Sequence, residues 1–175
     1  VSSSGRRYGR LLYLLCYHYK PLHILELGSS LGRGTLAMHL GHPEAQITTI
    51  EGSAEIAAIA LENINKFATN PTNIEVITSS FSTYLSDLDN ATFDLVYIDG
   101  HHEGKALRNY LDQIMPYTHE QTLFLLDDIR WNDDMFKAWN ELISDERFHV
   151  SIDFFRMGVL SSRPAQAKEH FILTF

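Results

Sequence analysis

The stretch Leu22–Thr35, LHILELGSSLGRGT, sets the frame of this chain, and TTIEGS at 48–53 completes it. A short apolar run ends in an acid, Glu26, and a glycine-rich turn then opens a helix. A second apolar run ends in another acid, Glu51, twenty-three residues after Gly28. Glycines let a backbone approach a ligand closely, and an acid closing the second strand can hold the two hydroxyls of a ribose. The combination predicts a nucleoside-cofactor site.

Outward from that core, short apolar runs alternate with amphipathic stretches. Strands are expected at His23–Leu27, Gln46–Glu51, Asn73–Thr78, Phe93–Asp99 and Thr122–Asp127, each near-continuously apolar as in a sheet covered on both faces. Helices are expected at Arg33–Leu40, Ala54–Ala68, Phe81–Leu88, Gly104–Met115 and Asp133–Ser144, with another at Arg7–Tyr19 before the first strand. In the helix after Glu51, the 3.6-residue period sets Ile56, Ile59, Ala60, Ile64 and Phe67 on one side, with Ser53 as its N-cap. Single helices between strands imply βαβ units and a parallel sheet. After about residue 147 the rhythm breaks. Phe148–Phe155 and Met157–Ser161 read as an antiparallel pair joined by a very short turn, and Phe171–Phe175 as a last strand-like piece. The fold class is therefore α/β, a three-layer α/β/α domain over 1–175, with 1–20 as an N-terminal helix or lid region.

Composition narrows the function classes. Of 175 residues, 45% are hydrophobic and 21% charged, as in an ordinary globular protein able to bury a core. A net charge of −8 argues against a nucleic-acid surface, because phosphate binding needs clustered Lys and Arg, and Arg6, Arg7 and Arg10 form the only such cluster. The single cysteine, Cys16, excludes an internal disulfide and reads as a buried thiol in LLYLLCYHY. Leu11–Tyr19 is too short to cross a bilayer, and no signal-peptide pattern is visible, so a cytoplasmic protein is expected.

Two nucleotide-binding patterns compete for the glycine turn. A dinucleotide fingerprint requires G-x-G-x-x-G, but Ser30 stands where its second glycine belongs. The pattern E-x-G-x-x-x-G-x-G, from Glu26 through Gly28 and Gly32 to Gly34, instead resembles the first motif of class I S-adenosylmethionine-dependent methyltransferases. The resemblance spans roughly residues 20–161 and includes the C-terminal antiparallel hairpin of that Rossmann-like fold. It implies that Glu26, Gly28, Ser30 and Gly32 line S-adenosylmethionine and that Glu51, with Gly52, takes the ribose. It also implies that Ser80 and Phe81 meet the adenine, and that Asp99 borders the cofactor. Ser80 departs from the aspartate common there. Ser30 replaces a frequent glycine, which is tolerable where its φ stays negative.

A second cluster falls at the carboxyl ends of strands four and five, where open α/β sheets place ligands. VYIDGHH supplies Asp99, His101 and His102; LLDDIRW supplies Asp127, Asp128 and Trp131. Three carboxylates in one pocket repel unless protonated or bridged by a cation, and Mg²⁺ suits oxygen ligands on a partly open site. These segments resemble the metal-dependent O-methyltransferases of the catechol and caffeoyl-coenzyme A type. They resemble the sugar and macrolide O-methyltransferases more closely, through Asp-Gly-x-His. The resemblance implies Asp99, Asp127 and Asp128 as metal ligands and His102 as general base. An imidazole, with an ordinary pKa of about 6.5, suits proton removal near neutrality.

His101 reads as a helix cap or solvent-facing side chain, and Asp133-Asp134 as a helix start. Trp131, Tyr8 and Tyr13 read as core and Arg6-Arg7 as solvated, with a pocket wall as the alternative. The expected activity is methyl transfer to a hydroxyl of a small-molecule acceptor, with self-association through FILTF or the first helix. Two alternatives stand beside it. One is a nicotinamide-dependent oxidoreductase, against which the missing glycine and the lack of a Tyr-x-x-x-Lys pair both count. The other is a cofactor-binding protein without turnover.

Overall fold

The computed structural model describes residues 5–89 and 91–174. The architecture is α/β, with a mostly parallel eight-stranded sheet and antiparallel strands toward the C-terminus. The chain forms two compact units, Val1–Asp87 and Leu88–Phe175.

The first unit runs α1 (Arg6–Tyr19), β1 (His23–Leu27), α2 (Arg33–Gly41), β2 (Gln46–Glu51), α3 (Ala54–Phe67), β3 (Ile74–Thr78) and α4 (Phe81–Ser86). Its strands lie parallel in the order β3-β2-β1. Leu25, Leu27, Ile47 and Ile50 from the strands are buried with Ala57, Ala60 and Ile64 from α3. Apolar runs closed on both faces form strands here because each strand buries side chains in both directions. Helix α1 packs on α2 through Gly41, where a Cβ would strike the Tyr13 carbonyl and lie 2.9 Å from Cys16 Cβ. Cys16 is buried, as its apolar setting predicts, and burial pushes its thiol up to about 12. The Ser53 hydroxyl accepts from Ile56 N–H and caps α3. One expectation for α3 fails: Ile59 is 45% and Phe67 55% exposed, because Ala57 rather than Ile59 points inward.

The second unit runs β4 (Phe93–Ile98), α5 (Gly104–Ile114), β5 (Thr118–Leu126), α6 (Asp133–Ser144), β6 (Val150–Asp153), β7 (Gly158–Ser161) and β8 (Glu169–Ile172), with strand order β4-β5-β7-β6-β8. Strands β4 and β5 are parallel, while β7 runs against both β5 and β6, as the sequence predicts. Strand β5 begins four residues before its expected start. Thr118 pairs with Phe93 ahead of an irregularity that carries the polar His119, Glu120 and Gln121, which mask the strand in the sequence. The last strand pairs parallel with β6 and is exposed along its length; Phe175 lies outside the described residues.

Close packing fixes two glycines of this unit. A Cβ at Gly158 would meet the Trp139 ring at 2.5 Å, and one at Gly104 would meet the Asp134 carbonyl at 2.5 Å. Asn132 caps α6 by accepting from Met135 N–H, and Asp134 accepts from Gly104 N–H at 2.6 Å. The acids at 133–134 thus start α6 as expected, with one of them also tying it to α5. Among the described residues, no helix is long and apolar enough to cross a membrane.

Candidate active site

In the first unit the glycine turn joins β1 to α2. Gly28 (φ 108°) and Gly32 (φ 76°) adopt left-handed backbone, and so does Ser30 (φ 47°), against the expected negative angle. Ser30 tolerates it because its N–H donates to Glu51 Oε2 at 3.0 Å. The other Glu51 oxygen accepts from Ser53 N–H at 3.1 Å. Each carboxylate oxygen spends one lone pair on the backbone and keeps another, which is the capacity that two ribose hydroxyls need. Gly52 is exposed with open space about its α-carbon.

Glu26 behaves differently from Glu51. Parallel register sets it beside Thr49, whose hydroxyl donates to Glu26 Oε2 at 2.6 Å; the Thr35 hydroxyl donates to the same oxygen. With the Thr49 proton committed, Ser29 donates to Thr49 at 2.6 Å. Glu26 is wholly buried, and its Oε1 has no hydrogen-bond partner among the described residues. Burial pushes its carboxyl up to about 7, against the two hydroxyl bonds that favour the ionised form. The side chain therefore braces the turn from below. Ser80 caps α4, accepting from Thr83 N–H at 3.1 Å, and is exposed beside half-buried Phe81.

In the second unit, Asp99 follows β4 and Asp127-Asp128 follow β5. One ligand atom each from Asp99, His102 and Asp128 lie within 4.8 Å of one another. His102 Nε2 stands 3.7 Å from Asp128 Oδ2, and its ring packs against Trp131 with centroids 5.2 Å apart. Trp131 is 56% exposed rather than core, half-buried Tyr8 and 37%-exposed Tyr13 are not core either, and Arg6 and Arg7 are solvated as expected. His101 faces solvent as expected, its side chain 51% exposed, rather than capping the helix, and its Nδ1 meets the Tyr110 hydroxyl at 2.7 Å.

Asp127, expected among the ligands, stands outside that close group. Its side chain is fully buried, accepts from Asp128 N–H at 2.9 Å, and meets the Tyr97 hydroxyl at 3.4 Å. Arg156, which the sequence reading missed, forks onto both acids. Its Nε is 3.2 Å from Asp127 Oδ1 and 2.8 Å from Asp128 Oδ1, and the other arm of the fork reaches both carboxylates at 3.3 Å. So a guanidinium already offsets part of the carboxylate repulsion that seemed to demand a cation. Burial and then Asp127 still hold the Asp128 carboxyl above its ordinary range, against Arg156 and His102.

The donor set fits a divalent cation. Asp99 and Asp128 bring two carboxylates, the oxygen donors that a hard divalent ion takes, to one place with the His102 imidazole beside them.

The sequence profile of the methyltransferase domain family matches residues 25–129. The chain belongs to that family. The class I resemblance drawn from the glycine turn is thereby borne out, and the glycine turn, Glu51, Asp99, His102 and Asp127-Asp128 fall within the matched span. No curated protein matches the chain in sequence. Among solved structures, this methyltransferase resembles the S-adenosylhomocysteine-bound enzyme PaMTH1 of Podospora anserina. The TM-score is 0.78 at 22% identity, covering 91% of this chain and 80% of that one. An O-methyltransferase of Bacillus cereus in complex with S-adenosylhomocysteine gives 0.76 at 18% identity, with 91% and 82% covered. The O-methyltransferase TomG of Streptomyces achromogenes, in complex with S-adenosylmethionine, gives 0.77 at 18% identity, again with 91% and 82% covered. At these identities the likeness establishes the shared fold.

Proposed function

We propose that this methyltransferase moves a methyl group from S-adenosylmethionine to a hydroxyl of a small-molecule acceptor, with Mg²⁺ at its acid cluster. The observation that carries the reading is the convergence of Asp99, His102 and Asp128 at the carboxyl ends of two adjacent strands in a chain of this family. The solved relatives described as O-methyltransferases, two of them with this cofactor or its product bound, support the same chemistry.

Bound S-adenosylmethionine supplies a methyl group on a sulfonium sulfur, and Glu51 with the turn at Gly28, Ser30 and Gly32 would hold its nucleoside and methionine parts. A divalent cation supplies a Lewis acid that lowers the pKa of an acceptor hydroxyl. Asp99 and Asp128 would hold that cation, because a hard cation takes oxygens and leaves the His102 nitrogen for a proton. His102, steadied by the Trp131 ring, would accept the hydroxyl proton. Trp131 offers an exposed aromatic wall on which an acceptor can lie. We further propose a cytoplasmic site of action, where Cys16 stays reduced, no nucleic-acid partner, and self-association through α1 or β8, which leave apolar side chains exposed.

Titration calorimetry with S-adenosylhomocysteine, run with Mg²⁺ and with EDTA, tests the cofactor and the metal separately, with NAD⁺ as control. Binding of the homocysteine product and not of NAD⁺ is expected, with a separate Mg²⁺ heat that Asp128→Asn removes. A His102→Ala variant should keep the nucleoside affinity and lose about 10²–10⁴ in kcat. Full activity in that variant would remove the base assignment, and binding of NAD⁺ alone would return the oxidoreductase alternative.

A further inference from the structure

We propose that Asn132 is a positioning residue for His102: its side-chain oxygen caps α6, and its side-chain nitrogen fixes the loop that carries the base. The inference rests on the reading of His102 as the base and adds the group that holds it in place.

The loop between β4 and α5, residues 99–103, presents Asp99 and His102 together, and it does so through unusual backbone. His101 lies in the left-handed region at φ 55°, which a residue with a side chain keeps only where its surroundings over-determine it. Part of that determination is local. Glu103 N–H donates to the His101 carbonyl at 2.6 Å, and the Tyr110 hydroxyl meets His101 Nδ1. The rest comes from the start of α6. There the Trp131 ring packs on the His102 ring, Asn132 Nδ2 donates to the His102 carbonyl at 3.0 Å, and Asp134 Oδ2 accepts from Gly104 N–H. Two of these three contacts converge on His102, one on its ring and one on its backbone.

The residue type carries the argument. An N-cap needs one acceptor, which Ser, Thr or Asp supplies as well as Asn does. The Asn132 amide offers an oxygen and a nitrogen, and both are used: Oδ1 accepts from Met135 N–H at 2.8 Å while Nδ2 faces the His102 carbonyl. A donor on one side and an acceptor on the other fix which end of the amide points where. One planar group thus ties the helix start to the loop. The bond to His102 is exposed, where water competes for both partners and a hydrogen bond adds little to stability. Its contribution is to geometry, so it can be separated from folding.

Asn132→Ser and Asn132→Asp make that separation. Both side chains cap a helix, but serine is a bond shorter, and aspartate turns an oxygen rather than an N–H toward the His102 carbonyl. Both variants should melt within about 2 °C of the unaltered protein, whereas Asn132→Ala, which loses the cap as well, should melt about 2–4 °C lower. Position is read from the proton Overhauser cross-peak between the His102 and Trp131 rings, assigned with His102→Gln and Trp131→Leu. That cross-peak should lose most of its intensity in both capping variants. Methyl transfer from S-adenosylmethionine, with catechol and glucose as probe acceptors, should fall about 10- to 100-fold in kcat with KM kept, as for a misplaced group rather than lost binding. An unchanged cross-peak, or a lost one with kcat intact, overturns the inference while leaving His102 as the base. Full activity in His102→Ala, or no transfer to either acceptor by the unaltered protein, removes the reading beneath it, and the inference then falls whatever the cross-peak shows.

Discussion

The two units solve the same problem, a carboxylate at the end of a buried strand, in opposite ways. Glu26 accepts from two hydroxyls, and burial dominates its titration and raises its carboxyl to about 7. Asp127 is just as buried but is paired with Arg156. A hydroxyl network tolerates a charge, whereas a guanidinium holds one in place. The first arrangement makes stability depend on pH near neutrality, and the second makes it depend on one ion pair.

The sharpest way to break this contrast is to remove the acid of the ion pair. Asp127→Ala takes from Arg156 the more buried of its two paired carboxylates and should cost about 3–5 kcal/mol in denaturant unfolding at pH 7. A loss below about 1 kcal/mol would mean that the pair contributes little net stability.

Glu26→Gln sharpens the other side. The folded carboxyl titrates above its unfolded value of 4.5, so its contribution is complete below that value and is lost as pH rises through about 7. The unaltered protein should therefore lose roughly 3 kcal/mol relative to the Gln variant between pH 4.5 and 8. Parallel pH–stability curves for the two proteins would show that Glu26 is not the titrating group.

The smallest effect concerns the turn above Glu26. Ser30→Gly relieves left-handed strain but loosens the unfolded chain, so the two contributions oppose and a gain of about 0.5–1 kcal/mol at most is expected. A thermal melt resolves it; a clear loss would show that the Ser30 side chain makes contacts worth more than the strain.

These contrasts also explain what could be read without a structure. The glycine turn, Glu51 and the strand-end acids were legible because a βαβ unit binds its ligand with residues adjacent in sequence. Ser30 misled because its angle is set by a hydrogen bond to Glu51, twenty-one residues away. Glu26 was legible as a strand-end acid but not as a buried brace, since that role depends on Thr35 and Thr49 sharing its side of the sheet. Arg156 was missed outright. It lies twenty-eight residues beyond Asp128 in a segment with no motif. A signal was present all the same: FFRMG puts a lone basic residue at the turn of a hairpin whose second strand had to run back along the acidic one.

Cys16 gives the protein an internal clock. Its thiol is buried under the α1–α2 contact at Gly41 and is held almost wholly protonated at neutral pH. A thiol-reactive dye can therefore reach it only when that helix pair opens. The rate at which the dye couples, followed in the unaltered chain, times the breathing of the N-terminal helix in real time.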